Sequence, residues 1–239
     1  PPHILRAIIE NGTPGQRALA MQTMAVSDDI RKARLAMDYH SIAAALAAQG
    51  KSRNVYDAKN GSTLPGTLAR QEGSAPVADT AVNEAYDGAC ATYDLYQNIF
   101  GRNSIDGNGL RMDSTVHYQK GYDNAFWDGK QMVYGDGDED LPPGERLFNR
   151  FTICLDVIGH ELTHGVTQHE ANLTYAAQPG ALNESMSDVF GSLVKQYLRG
   201  QTAAQADWII GEGLFTSNVN GVGIRSMKAP GTAYNDPVL

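Results

Sequence analysis

A chain of 239 residues, 42% hydrophobic and 19% charged, is long enough to bury one large core or two modest ones. Its formal net charge of −8, with no Lys/Arg cluster, argues against a nucleic-acid or anionic-membrane surface as partner. No apolar run approaches the ~20 residues that span a bilayer, no signal peptide is legible in the given residues, and two cysteines, Cys90 and Cys154, make no disulfide framework and read as small core residues.

Residues 1–50 read as helical. Ile4-Leu5-Arg6-Ala7-Ile8-Ile9, followed by Asn11-Gly12, is a short helix with a glycine stop. Gln16 to Met24 reads as a second helix, and Asp28 to Gln49 as a longer, alanine-rich third. At Gly50-Lys51-Ser52-Arg53 turn residues and strand patterning take over. The expected division is a separate helical segment over 1–50, a sheet-rich unit over 51–155 and a helical one over 156–239.

Val55 to Gly61 alternates and ends in Asn60-Gly61, a hairpin signal. Val82 to Phe100 carries Ala85, Ala89, Tyr93, Tyr96 and Phe100 at helical spacing. Ile105 to Gly109 is a turn, because its aspartate lacks the ligand spacing of a calcium loop. Thr115 to Tyr118 reads as a strand, with His117 on a sheet face. Asn124-Ala125-Phe126-Trp127 and Gln131 to Gly135 are strand-like runs around Asp128-Gly129, an aromatic hairpin. Asp136 to Asp140 lacks an EF-hand pattern and is expected to be a solvated acidic loop.

The chemistry concentrates between Ile158 and Asp188. His160-Glu161-Leu162-Thr163-His164 lies in an apolar-periodic run, Phe151 to Gln168, that reads as one helix. Residues four apart share a helix face, so both imidazoles can point at one spot. Two neutral imidazoles and a carboxylate are a ligand set for one catalytic zinc ion, with a position left for water. The carboxylate is expected from a second helix, Ala181 to Leu198, at Glu184. Asp188, one turn on, is placed to accept the spare N–H of a ligating imidazole. Glu161, turned off the ligand face, is the candidate general base. The alternative for the pentapeptide alone is a buried helix with histidines bonded to backbone carbonyls, and the pattern Asn183-Glu184-x-x-x-Asp188 weighs against it. His169 is out of register with the ligand face and expected to be exposed.

Gly159 to Val166 (GHELTHGV) followed by Gly180 to Asp188 (GALNESMSD) resembles the thermolysin-type neutral metallopeptidases. A two-histidine, one-glutamate zinc site is the established ligand set of that family. The resemblance runs from about Val55 to the C-terminus and implies an α+β fold: an antiparallel-sheet domain, a central zinc helix and the start of a helical C-terminal domain. It implies a zinc endopeptidase acting on peptides or proteins. Asn124-Ala125-Phe126-Trp127 resembles the family's cleft-lining edge strand, where the Asn124 side chain and Ala125 backbone would hold the substrate main chain. Tyr175 and Arg225 match a phenol and an arginine that address the substrate carbonyl, and Val157 and Ile224 are candidate walls of an apolar side-chain pocket.

Pro1-Pro2-His3-Ile4-Leu5 is similar to a motif near the start of the short pro-segment of protealysin-type enzymes, which implies that 1–50 is a pro-segment lying over the cleft. In the family a further helical part carries a histidine that stabilises the oxyanion. The sequence ends at Leu239 before any such motif, so that part is expected to be missing. The family's calcium pair is expected to be absent: Lys195 and Ile209 replace ligands, and Lys195 is expected to neutralise Asp156, Asp207 and Glu212 instead. Family tendency implies secretion, with a cytoplasmic location left open. Two rivals are a zinc aminopeptidase-type hydrolase, against which the absence of a G-x-M-E-N-like run counts, and a non-catalytic binding or inhibitory module.

Overall fold

The computed structural model describes residues 1–36 and 50–239, with helices and a sheet in an α+β arrangement. Helix α1 (Pro2–Asn11) starts with proline at its first turn, where the missing N–H costs nothing, and buries Ile4, Leu5 and Ile8 on one stripe. Helix α2 (Pro14–Ala36) begins at a reciprocal cap: Thr13 N–H donates to Gln16 Oε1 at 2.8 Å, and Gln16 N–H to Thr13 Oγ1 at 3.4 Å. It runs unbroken where the sequence reading put two helices, because Ala25-Val26-Ser27 contains no glycine or proline to stop it. The remainder of the expected third helix, 37–49, lies outside the described residues.

Strands β1 (Arg53–Asp57), β2 (Thr67–Gln71), β3 (Met112–Val116), β4 (Ala125–Trp127) and β5 (Met132–Tyr134) form one sheet in the order β2-β1-β3-β5-β4. The expected antiparallel sheet is a mixed one. β1–β2 and β4–β5 are antiparallel, as hairpin neighbours must be, but β1–β3 and β3–β5 are parallel. Helix α3 (Thr80–Phe100), capped by Asp79 and ended by Gly101 in the left-handed region, supplies the crossover that parallel β1 and β3 require. β4, at the end of the order, is an edge strand.

His117 leaves the sheet. It has φ 54° and places its ring between two carboxylates, Nδ1 at 2.8 Å from Asp136 and Nε2 at 2.9 Å from Asp79. The Asp136 hydrogen bond outweighs burial and pushes its pKa up to about 9. The acidic loop is not wholly solvated either: buried Asp138 accepts from the amides of Leu147 and Phe148 at 2.7 and 2.8 Å. Cys154 is buried, whereas Cys90 is half-buried with its sulfur 3.0 Å from Lys51 Nζ.

Behind the sheet, α4 (Leu155–Glu170) is buried along most of its length, and α5 (Ala177–Arg199) crosses it. The expected single helix from Phe151 is a short 3-10 turn, Phe151–Ile153, then an extended Cys154, then α4. α4 and α5 touch at glycines. A methyl on Gly191 would stand 2.4 Å from the Asp156 carbonyl oxygen and 3.0 Å from His160 N, and one on Gly159 would meet Val194 at 3.0 Å. Short strands β6 (Ile209–Ile210) and β7 (Arg225–Ser226) pair beyond α5.

Gly191→Ala separates two effects. Helix propensity alone favours alanine by ~1 kcal/mol, but the clash is with backbone and has nowhere to relax. A net loss of about 1–3 kcal/mol is expected from the urea midpoint. A gain in stability would show that the crossing has room for a methyl group at Gly191.

Candidate active site

α4 presents His160 and His164 one turn apart, with their rings at 89° and centres 4.6 Å apart. α5 approaches from the other side with four polar residues on one face. Asp188 Oδ1 lies 2.8 Å from His160 Nδ1, while Asn183 Oδ1 and Ser187 Oγ lie 2.8 and 2.9 Å from His164 Nδ1. Both rings are therefore fixed through Nδ1, and both Nε2 atoms face the same space.

Glu184 closes that space. Its oxygens stand 3.4 Å from His160 Nε2 and 3.6 Å from His164 Nε2. Bonds of about 2.0–2.1 Å in a tetrahedral set put ligand atoms about 3.3 Å apart, so these three side chains fit one zinc ion. Among the described residues, the group of three metal-ligating side chains within 4.8 Å of one another is His160, Glu161 and His164. Glu161 is the poorer third member, because its oxygens are 3.9 Å from each Nε2 and one already accepts from Trp127 N–H at 3.1 Å. Glu161 sits beside the space and Glu184 bounds it.

Charge follows this geometry. Burial alone would lower His160, but the bonds to Asp188 and Glu184 overcome it and raise the ring to about 9. Burial and then the charge of His160 push His164 down to about 4. Glu184, despite its burial penalty, is held well below the usual carboxylate range by His160 and His164.

The other expected site residues gather around the same cleft. Tyr175 places its ring 5.3 Å from that of His164. Arg225, on β7, makes a two-pronged bond to Asp188 at 2.6 and 2.8 Å, so Arg225, Asp188 and His160 form one chain. Asn124, Ala125, Phe126, Val157 and Ile224 line the cleft, and Trp127 meets it through its backbone. Pro1, Pro2, Ile4 and Leu5 lie in it too, while His3 borders a neighbouring cavity with Asp188, Ile224 and Arg225. His169 is exposed as expected. Asn183 enters the sequence reading only as part of the Asn183-Glu184-x-x-x-Asp188 pattern, with no role of its own, and Ser187 has none there, although the two lie one turn apart beside Glu184 and Asp188.

α2 lies along the sheet edge. Leu19 packs where Gly121 has no side chain, and Gln22 donates to the Lys120 carbonyl at 3.0 Å. Thr23 Oγ1 accepts from Asp123 N–H at 3.0 Å, and Ser27 Oγ bonds Tyr122 and Asn124 at 3.3 and 3.2 Å. Val26 and Ile30 pack on Tyr118, Tyr122, Phe126 and Val133. Arg34 Nε donates to the Trp127 carbonyl at 2.9 Å. The contacts at 19, 23, 27, 30 and 34 recur every three or four residues, which is one helix stripe.

Paired imidazoles opposed by a carboxylate, beside the edge strand of a sheet in an α+β fold, define a metallopeptidase-type centre. Models of the thermolysin metallopeptidase catalytic domain and of its α-helical domain match residues 25–168 and 171–238. The chain is 50% identical to the extracellular metalloprotease of Pectobacterium carotovorum subsp. carotovorum over its whole length and 67% of that protein. It is 44% identical to thermolysin of Alicyclobacillus acidocaldarius subsp. acidocaldarius over 79% of this chain and 33% of that one. The solved precursor of protealysin from Serratia proteamaculans superimposes with a TM-score of 0.85 at 50% identity, covering all of this chain and 67% of that structure. The chain belongs to the thermolysin metallopeptidase family. It spans 67% and 64% of the first two curated relatives it matches.

Replacing Asp188 with asparagine removes the carboxylate charge that faces His160 Nδ1. In the metal-free chain the His160 pKa should fall from about 9 by about 1–3 units, followed by NMR of its ring protons. An unmoved value would mean that Asp188 does not set the charge of that ring.

Proposed function

We propose that this chain is the zinc-binding part of an endopeptidase made as a latent precursor, with residues 1–50 as its pro-segment. The observation that carries the proposal is the spacing of Glu184 from both Nε2 atoms, with Glu161 alongside and the α2-covered edge of β4 facing it. His160, His164 and Glu184 would hold one zinc ion. When bound, zinc supplies Lewis acidity and lowers the pKa of a coordinated water to about 7.

The protein residues do the rest. β4 offers a peptide its outward backbone groups: Trp127 N–H and C=O point away from β5, and Ala125, two residues earlier, has the same orientation. An extended substrate pairs there whatever its sequence, with Asn124 adding a side-chain amide. Glu161 Oε takes a proton from the attacking water and delivers it to the leaving amide nitrogen. Tyr175 and Arg225 are assigned to the oxyanion that develops on the scissile carbonyl. Arg225 does so while held by Asp188, which fixes its direction. The space occupied by Ile4, beside Val157, Phe148, Phe151 and Ile224, suits a bulky apolar side chain. A further chain segment bearing an oxyanion-stabilising histidine belongs to this proposal, as does an extracellular site of action like that of the Pectobacterium relative.

Glu161→Gln should bind zinc at near-full occupancy and lose hydrolysis of internally blocked peptides, whereas His160→Ala and Glu184→Ala should lose the metal as well. Metal content and activity measured together decide it. Loss of zinc in the glutamine variant would make Glu161 structural.

Latency has its own test. Deleting residues 1–50 should raise activity and speed amide exchange over Asn124–Trp127, since α2 covers that strand. Neither change occurring would reduce 1–50 to an ordinary subdomain.

Lys195, 2% exposed, places its Nζ 2.9 Å from Asp156 Oδ2, 2.9 Å from Asp207 Oδ1, 3.8 Å from Glu212 and 2.6 Å from the Ile209 carbonyl. An ammonium so surrounded occupies the centre of an oxygen cage and would repel a calcium pair. Thermal stability should be nearly indifferent to a calcium-selective chelator. Lys195→Ala should cost about 3–5 kcal/mol, because Asp156 is left buried and unpaired. A large drop on chelation would overturn the assignment.

A further inference from the structure

Arg34 is the last residue of the α2 stripe and reaches deepest towards the chemistry. Its side chain is 8% exposed. Nε donates to the Trp127 carbonyl at 2.9 Å, and Nη2 also reaches that oxygen. Nη2 stands 3.6 Å from Glu161 Oε2, and the guanidinium carbon lies 4.8 Å over the centre of the Tyr175 ring. One planar cation thus meets the edge strand, α4 and the loop before α5.

Each contact falls on a group that the proposed reaction needs. The Trp127 carbonyl is the acceptor an extended substrate would use, and Glu161 is the base. Its Oε2 is engaged by Trp127 N–H on one side and faces the guanidinium on the other. Tyr175 is the assigned oxyanion donor. An arginine suits this task better than a lysine, because its fork of donors and flat face can serve a carbonyl, a carboxylate and an aromatic ring together. The opposite end of the segment is different in kind: Ile4 and Leu5 fill apolar space beside Val157 and Ile224. Apolar filling excludes a side chain, whereas only a polar group can occupy the base.

We infer that Arg34 is an inhibitory latch, a guanidinium carried on α2 that occupies Glu161 and the Trp127 carbonyl of its own chain, so that latency depends on this side chain as well as on the bulk of the segment. The inference rests on the proposal that residues 1–50 dock as a pro-segment. If it holds, substitutions at Arg34 loosen the precursor without touching any group of the mature site, and a peptide entering the cleft must displace the arginine first.

A double-mutant cycle on the full chain tests it, with zinc chelated so that no chain is processed. The reporter is the Asp123 amide, which donates to Thr23 Oγ1 across the α2 contact and is released when α2 lifts. Arg34→Met, which keeps the stem and removes the fork, should speed Asp123 exchange about tenfold, and Arg34→Lys by less. In a Glu161→Gln background the same substitution should speed it about threefold or less, because part of the partner is already gone. Unchanged exchange in Arg34→Met would overturn the latch. Equal acceleration in both backgrounds would also overturn it, since the arginine would then be held by the Trp127 carbonyl without the base. The chain lacking residues 1–50 is the control. If its Asn124–Trp127 amides exchange faster while Arg34→Met changes nothing, only the latch fails. If the deletion changes nothing either, the docked pro-segment itself fails.

Discussion

The close crossing of α4 over α5 is the constraint on which the site depends. It is possible because Gly191 lets the Asp156 carbonyl and the His160 backbone come within van der Waals reach of α5. Once the axes are that close, fewer than two helical turns of α5 address both histidines. Asn183 and Ser187 reach His164, Asp188 reaches His160, and Glu184 faces both Nε2 atoms. A larger side chain at the crossing would separate the axes, and polar contacts of 2.8–2.9 Å do not tolerate displacement of that kind. Arg225 then extends the arrangement by one more link, through Asp188, to β7.

The other wall of the cleft is a strand edge. Unpaired edges invite association with other chains, and proteins commonly cover or interrupt them. Here α2 lies along β4 and satisfies its neighbourhood with side chains: Thr23 for the Asp123 amide, Ser27 for Asn124, Arg34 for the Trp127 carbonyl. Such bonds contribute only about 0.5–1.5 kcal/mol each, because water replaces them when the helix leaves. The apolar contacts of Val26 and Ile30 on the aromatic cluster add to this without crossing the sheet core. A cover built in this way holds the edge through side chains rather than through a shared backbone ladder.

Buried charge elsewhere is arranged in closed groups. Lys195 sits among Asp156, Asp207, Glu212 and a backbone carbonyl, tying the first turn of α4 to the segment after α5. His117 bridges Asp79, the cap of α3, and Asp136, beyond β5. Both groups fasten elements that flank the site to one another. Removing Lys195 would leave Asp156, 1% exposed, without compensation, which is why that group acts as a pin rather than as an adjustable contact.

The helical features were legible because the helix period is fixed by the backbone. His160 and His164 four apart, Glu184 and Asp188 four apart, and the apolar stripe of α3 need no tertiary information to be placed on common faces. The Thr13–Gln16 cap is equally local, and it starts the helix at Pro14, two residues before the start expected at Gln16. Long-range pairing decided the rest. A strand's own residues do not say whether its neighbour runs parallel, so the pairing of β1, β3 and β5 depended on where α3 carries the chain. Asp138 and His117 carry the same side chains whether solvated or enclosed, and only the packing around them set their partners. Arg34 is the extreme case: in sequence it is one more charge on a polar helix, and it meets Glu161 and Trp127 only because α2 is laid along the edge of β4. The sequence by itself determined that His160, His164, Glu184 and Asp188 could share one site, since that follows from side-chain type and helical spacing, while Asn124, Tyr175 and Arg225 were indicated only by resemblance to the family. Which of them meet, and what covers them, was decided by contacts between segments far apart in the chain, and no local period encodes those.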